Sequence, residues 1–246
     1  MCRIAFFPPR TDVKDPLVMP HLGYLVEYQG GDGAGIGTWS GDKQVMIKGM
    51  QHDGKSLGRI LKKRGNETGW LFHARLASVG PKVNELTQPM SAGDELFVHN
   101  GHWSGWDNLY WPMLMQGKID VKENVSDSLI MSRMIEATGR ELLQRMASGV
   151  FVTFRKGADH AVLTLQSGAF AYSSLPGGGF VYSSSFPETW PMKVYEFKSG
   201  TVAKLGDMGP EIVFGGEPFE TKGTFSSKGG SRSWQGHAGV PAHYMH

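Results

Sequence analysis

The chain has 246 residues, with 25 Lys and Arg against 23 Asp and Glu, and nothing in that balance points to nucleic acid or a membrane surface as its main partner. Its one cysteine rules out an internal disulfide and fits a reducing compartment, and no apolar run approaches the roughly 20 residues of a membrane span. Pro8-Pro9 stops the opening segment too early for a signal h-region, so a cytoplasmic protein is expected.

In chain order, residues 2–7 read as a strand ending at Pro8, and residues 12–29 as irregular or partly helical. The glycine-rich run 30–37 turns into a strand near Trp39; it lacks the full spacing of a phosphate cradle, so a tight turn is expected. Residues 44–48 form another strand and 55–64 a short basic helix. Residues 70–78 have a strand's β-prone content, which would place His73, Arg75 and Ala77 on one face. A further strand over 95–99 is ended by Asn100-Gly101, and a helix covers 105–115. Ser126-Asp127-Ser128 opens the clearest helix, with Leu129, Ile130, Met134 and Ile135 as its apolar stripe. Thr138-Gly139-Arg140-Glu141 has capping-box spacing and predicts a second helix, or a restart of the first, to about Met146. Strands follow at 150–155, 161–166, 179–184, 193–197 and 201–205. Strands, then helices, then strands suggest an α+β fold of two sheets with helices outside. Residues 2–220 read as one domain and 221–246 as a flexible Gly/Ser-rich tail.

Cys2 sits directly behind Met1, and cysteine is small enough for that methionine to be trimmed. A terminal cysteine carries a thiol (reference pKa about 8.5) and an α-amine (about 7.7–8.0) on one carbon. The amine can take the thiol's proton directly or through one water, which activates the sulfur as a nucleophile. The competing reading is a lone apolar cysteine in a first strand. Arg75 at a strand end would suit a carboxylate through its planar fork, or be a solvated surface residue. The Asn100 amide and the Gly101 N–H supply two donors near one spot, as an oxyanion requires, or simply mark a turn. Asp127 in a helix's first turn suits capping, and the same carboxylate could take an α-ammonium. His99 and His102 have no further ligand nearby, and no metal or cofactor is expected.

The order of these signals is more specific than any one of them. A mature-terminal Cys2, then His73-Ala74-Arg75-Leu76-Ala77-Ser78-Val79-Gly80, then Val98-His99-Asn100-Gly101, then Ser126-Asp127-Ser128 leading a helix, resembles the class II glutamine amidotransferase domain. The motifs run from Cys2 to about Glu136, and the strand pattern extends the likeness loosely to about Gly209. The turn Asp32-Gly33-Ala34-Gly35-Ile36-Gly37 also looks like that of small stand-alone members. The resemblance implies a four-layer αββα sandwich of the N-terminal nucleophile hydrolase type. It implies Cys2 as nucleophile, Asn100 and Gly101 as oxyanion donors, Arg75 on the glutamine α-carboxylate with Ser78 helping, and Asp127 on the α-ammonium. Glutamine would be hydrolysed through a γ-glutamyl thioester, releasing ammonia for a separate synthetase or transferase. The chain departs from many members at Val79 and Gln88, where they carry histidine, and Ser183-Ser184-Ser185 lacks their Ser-Glu pair. Two alternatives stay open: a hydrolase of other γ-glutamyl amides or peptides, and a catalytically silent glutamine-sensing subunit.

Overall fold

The computed structural model describes residues 2–28, 31–65, 68–146 and 148–221. In chain order the strands are β1 (Arg3–Phe7), β2 (Ala34–Ser40), β3 (Lys43–Gly49), β4 (Trp70–Ala74), β5 (Met90–Ala92), β6 (Glu95–Asn100), β7 (Val150–Arg155), β8 (Ala161–Leu165), β9 (Ala171–Ser174), β10 (Phe180–Ser183), β11 (Tyr195–Glu196), β12 (Thr201–Gly206), β13 (Gly209–Phe214) and β14 (Phe219–Glu220). The helices are α1 (Val18–Gly23), α2 (Gly54–Arg64), α3 (Asp107–Met115) and α4 (Asp127–Thr138). Both sheets are antiparallel: an eight-stranded sheet ordered β14-β11-β9-β10-β1-β4-β2-β3 and a six-stranded sheet ordered β13-β12-β8-β7-β6-β5.

The period-2 alternation of side chains along each strand builds the layers. On β1, Ile4 and Phe6 enter the core between the sheets with Leu96, Val98, Val150 and Val152. Ala5 and Phe7 point the other way, onto Leu22, Leu57 and Leu61 of α1 and α2. On β6, Phe97 faces outward with Phe151 against Met131 and Ile135 of α4. The result is helix, sheet, sheet, helix: the expected αββα sandwich. Burying a leucine such as Leu57 or Leu61 contributes about 2 kcal/mol, so the apolar face of α2 holds that helix on the sheet.

Local chemistry sets the helix starts. Asp53 accepts the Ser56 N–H at 2.6 Å while Ser56 Oγ accepts the Asp53 N–H, a reciprocal cap that opens α2. Ser126 Oγ accepts the Leu129 N–H at 3.3 Å and opens α4.

Two expectations fail. The predicted capping box at Thr138 does not form: the Thr138 hydroxyl donates back to the Met134 carbonyl. Gly139, at φ +86°, ends α4, and a 3₁₀ turn over Arg140–Arg145 replaces the second α-helix. The strand over 70–78 is shorter than expected: β4 ends at Ala74, Arg75 still exchanges backbone hydrogen bonds with Gly33 and Asp32, and by Ala77 the N–H goes to the Asp32 carboxylate instead. Ala77 therefore lies beyond the ladder that carries His73 and Arg75. The short strands β5, β9, β13 and β14 were not expected. Thr221 is hydrogen-bonded to the Val194 carbonyl, and the rest of the predicted tail lies outside the described residues.

Candidate functional site

Strand register brings the site together. Arg3 pairs with Ala74 and Ala34 with Ala74, while Asn100 pairs with Val150. One end of the sandwich therefore collects Cys2, the turn before β2, the segment after β4 and the end of β6. The start of α4 completes it. A cleft there is lined by Cys2, Arg75, Ser78, Gly101 and Asp127, five of the six residues singled out from sequence. Asn100 is buried at the end of β6 and does not line the cleft itself; its neighbour Gly101 does.

The Cys2 sulfur donates to the Leu76 carbonyl at 3.5 Å and accepts the Leu76 N–H at 3.4 Å. Burial pushes the thiol up, and the Leu76 N–H and the Arg75 charge only partly offset it. A resting thiolate is scarce, so a nearby base has to remove the proton. An Arg3 guanidinium N–H donates to the Cys2 carbonyl at 3.2 Å and holds that residue's backbone.

Arg75 is buried, and burial lowers its pKa, opposed by the charges of Cys2, Asp32 and Asp127. Its guanidinium donates to the Pro81 carbonyl at 2.9 Å and the Val79 carbonyl at 3.2 Å, which leaves donors of its five over. Ser78 is exposed at the rim. Asp127 Oδ2 accepts the Trp103 N–H at 3.1 Å, and Oδ1 accepts the Ser128 N–H at 2.8 Å. A guanidinium and a carboxylate thus share one small cleft of about 20 Å³.

Further residues support the site. Asp32 accepts the Ala77 N–H at 2.9 Å and pairs with Lys82 at 2.7 Å, stapling the 75–82 segment. The Lys82 hydrogen bond holds its carboxyl below the usual range. The acidic residue inside the glycine-rich turn was the available signal. Gln88, His99 and Ser128 are buried and bonded to one another. Burial pushes His99 down to about 4 and His73 to about 3, so both rings are neutral near pH 7. Gln88 stood out in the sequence only as a departure from the family pattern and Ser128 only as the last residue of the Ser126-Asp127-Ser128 motif; neither position signalled a bond to His99. Gly101 needs its missing side chain, because a Cβ there would sit 2.7 Å from His99 Nε2. Among the described residues no cluster of His, Cys, Asp and Glu could hold a metal, and no helix is long and apolar enough to cross a membrane.

No protein-family model and no curated protein matches the chain. Solved structures do. Glutamine phosphoribosylpyrophosphate amidotransferase from B. subtilis, complexed with ADP and GMP, superposes with a TM-score of 0.63 at 16% identity, over 86% of this chain and 48% of its own. The present chain therefore spans about half the length of that enzyme. A glutamine aminotransferase class-II domain protein from Silicibacter pomeroyi superposes at 0.56 and 14% identity, over 86% of this chain and 98% of its own. At these identities the likeness establishes the fold alone: a four-layer αββα sandwich, as in those two structures.

Proposed function

We propose that the chain hydrolyses the side-chain amide of glutamine, with Cys2 as nucleophile once its α-amine is free. One observation carries this reading. Residues from four separate segments, selected for four separate chemical tasks, converge on a single cleft.

Asp127 would bind the α-ammonium and Arg75 the α-carboxylate, aided by Ser78. Two opposite charges at a fixed spacing orient the side chain toward the sulfur. The cleft is small as it stands, so binding has to widen it, and the guanidinium donors that Val79 and Pro81 leave over meet the α-carboxylate. The Cys2 α-amine takes the thiol proton as Sγ attacks the amide carbon. The oxyanion accepts from the Asn100 amide and the Gly101 N–H. The intermediate collapses to a γ-glutamyl thioester as the α-ammonium returns its proton to the departing ammonia. Water, deprotonated by the same amine, then hydrolyses the thioester to glutamate. The ammonia would pass to a synthetase or transferase acting as a separate acceptor.

The test compares protein whose mass shows Cys2 as first residue with protein retaining Met1. Ammonia release from glutamine is expected only from the first, and Cys2→Ala abolishes it. Undiminished release by Cys2→Ala would end the proposal. Parallel assays on γ-glutamyl dipeptides test the alternative substrate class.

A further inference from the structure

The Gln88 side chain does something the reaction scheme leaves unassigned. Its Oε1 accepts the His99 N–H at 2.6 Å, which fixes the orientation of the amide. Its Nε2 then donates to the His99 carbonyl at 3.3 Å and to Ser128 Oγ at 3.1 Å. Gln88 thus grips both backbone groups of the residue just before Asn100. A Cβ at Gly35 of β2 would collide with the Gln88 carbonyl, so the bare glycine lets this grip close.

Ser128 Oγ meets three partners: Gln88 Nε2, His99 Nδ1 at 3.1 Å and Asp127 Oδ1 at 3.4 Å. It has one proton to give. The carboxylate can only accept, and the Gln88 amide nitrogen can only donate. When Ser128 Oγ–H donates to Asp127 Oδ1, the same oxygen accepts from Gln88 and from His99 Nδ1–H. The opposite assignment would put a proton on His99 Nε2, which is buried without a partner among the described residues. A buried unpaired N–H is the costlier defect. His73 Nε2 adds a second donor to the His99 carbonyl at 3.2 Å.

We infer that Gln88, His99 and Ser128 form a clamp with fixed protons, which locks the Asn100-Gly101 turn to Asp127. They are positioning residues: Gln88 holds the oxyanion turn in place, and Ser128 holds the carboxylate that orients the substrate. The kinetic consequences rest on the proposed glutaminase reading; the proton assignment does not.

Kinetics and ¹⁵N NMR of the histidine ring on mature protein test the clamp together. Gln88→Leu is expected to lower kcat about 10²-fold, with KM changed by no more than about twofold, since an oxyanion donor is misplaced. Ser128→Ala is expected to raise KM about tenfold, the loss of a hydrogen bond to a charged group, and Ser128→Thr to recover most of it. The ring of His99, assigned by its loss in His99→Phe, is expected as the Nδ1–H form, becoming mixed in Ser128→Ala. A wild-type Nε2–H ring overturns the clamp, as does a folded Gln88→Leu that keeps kcat within about threefold. If wild-type protein releases no ammonia, the glutaminase reading falls and the ring's proton alone decides the clamp.

Discussion

The sandwich has two ends, and both carry cavities. At the end where β1 begins lies the small cleft around Cys2. At the end where β1 finishes, roughly 20 Å away along the strand, lies a larger cavity of about 330 Å³, lined by residues including Arg10, Trp39, Phe154, Asp159 and Asp207. The larger space carries the weaker chemistry. Its polar pairs lie at the surface: Arg10 meets Asp207 at 3.5 Å with the arginine side chain 85% exposed, and Asp159 accepts a hydrogen bond from His160 with the aspartate 92% exposed. Such pairs contribute little. The cleft instead buries Arg75, Asp127, His99, Gln88 and Asn100 in or beside it. Each would be costly to desolvate without a partner, and a cluster of them needs a compensating network or a function. Buried polarity, rather than volume, separates the two ends.

The contrast can be broken most directly at Asn100. Asn100→Ala is expected to lower kcat for glutamine by about 10²–10³-fold; steady-state ammonia release that stays within a few-fold of wild type would remove the oxyanion role. Next comes Arg75→Lys, which keeps the charge and loses the fork. KM for glutamine should rise about tenfold or more, and an unchanged value would count against the carboxylate clamp.

Acid tests the same contrast through stability. His73 and His99 have folded values of about 3 and about 4, below the ordinary value of 6.5. The unfolded chain therefore binds more protons as pH falls below 6.5, and stability is lost in that direction. Between pH 7 and pH 5 each contributes a loss of about 2 kcal/mol. His21, also near 3, adds to the loss, while Glu95, raised by burial, opposes it. Asp32, held low by Lys82, matters only below the ordinary carboxylate range. Urea unfolding midpoints at the two pH values measure the net fall, and a midpoint constant across that range contradicts neutral, buried rings. The smallest effect is expected at the far end: Asp207→Ala should change stability by no more than about 0.5 kcal/mol and leave ammonia release unchanged. A loss comparable to that of Asn100→Ala would erase the distinction between the ends.

Much of this was legible in the chain. Short-range rules set β1, β6, α2 and the start of α4, because alternation, capping residues and Asn-Gly turns act over a few residues. The types and order of Cys2, Arg75, Asn100-Gly101 and Asp127 were legible too, and they are what the proposed amino-acid site rests on. Thr138 misled because its hydroxyl can accept from the N–H three residues on or donate to the carbonyl four residues back, and it does the second.

The sequence by itself determined which chemical groups are available and which local elements carry them. Only the tertiary structure decided that five of those groups share one cleft while Asn100 stands just behind it. Only the fold, too, made positioning residues of Asp32, Gln88 and Ser128. Their partners are 45, 11 and 29 positions away, at Ala77 and, for both of the others, at His99. Polar side chains acquire such partners through sheet register and burial, which no local pattern encodes.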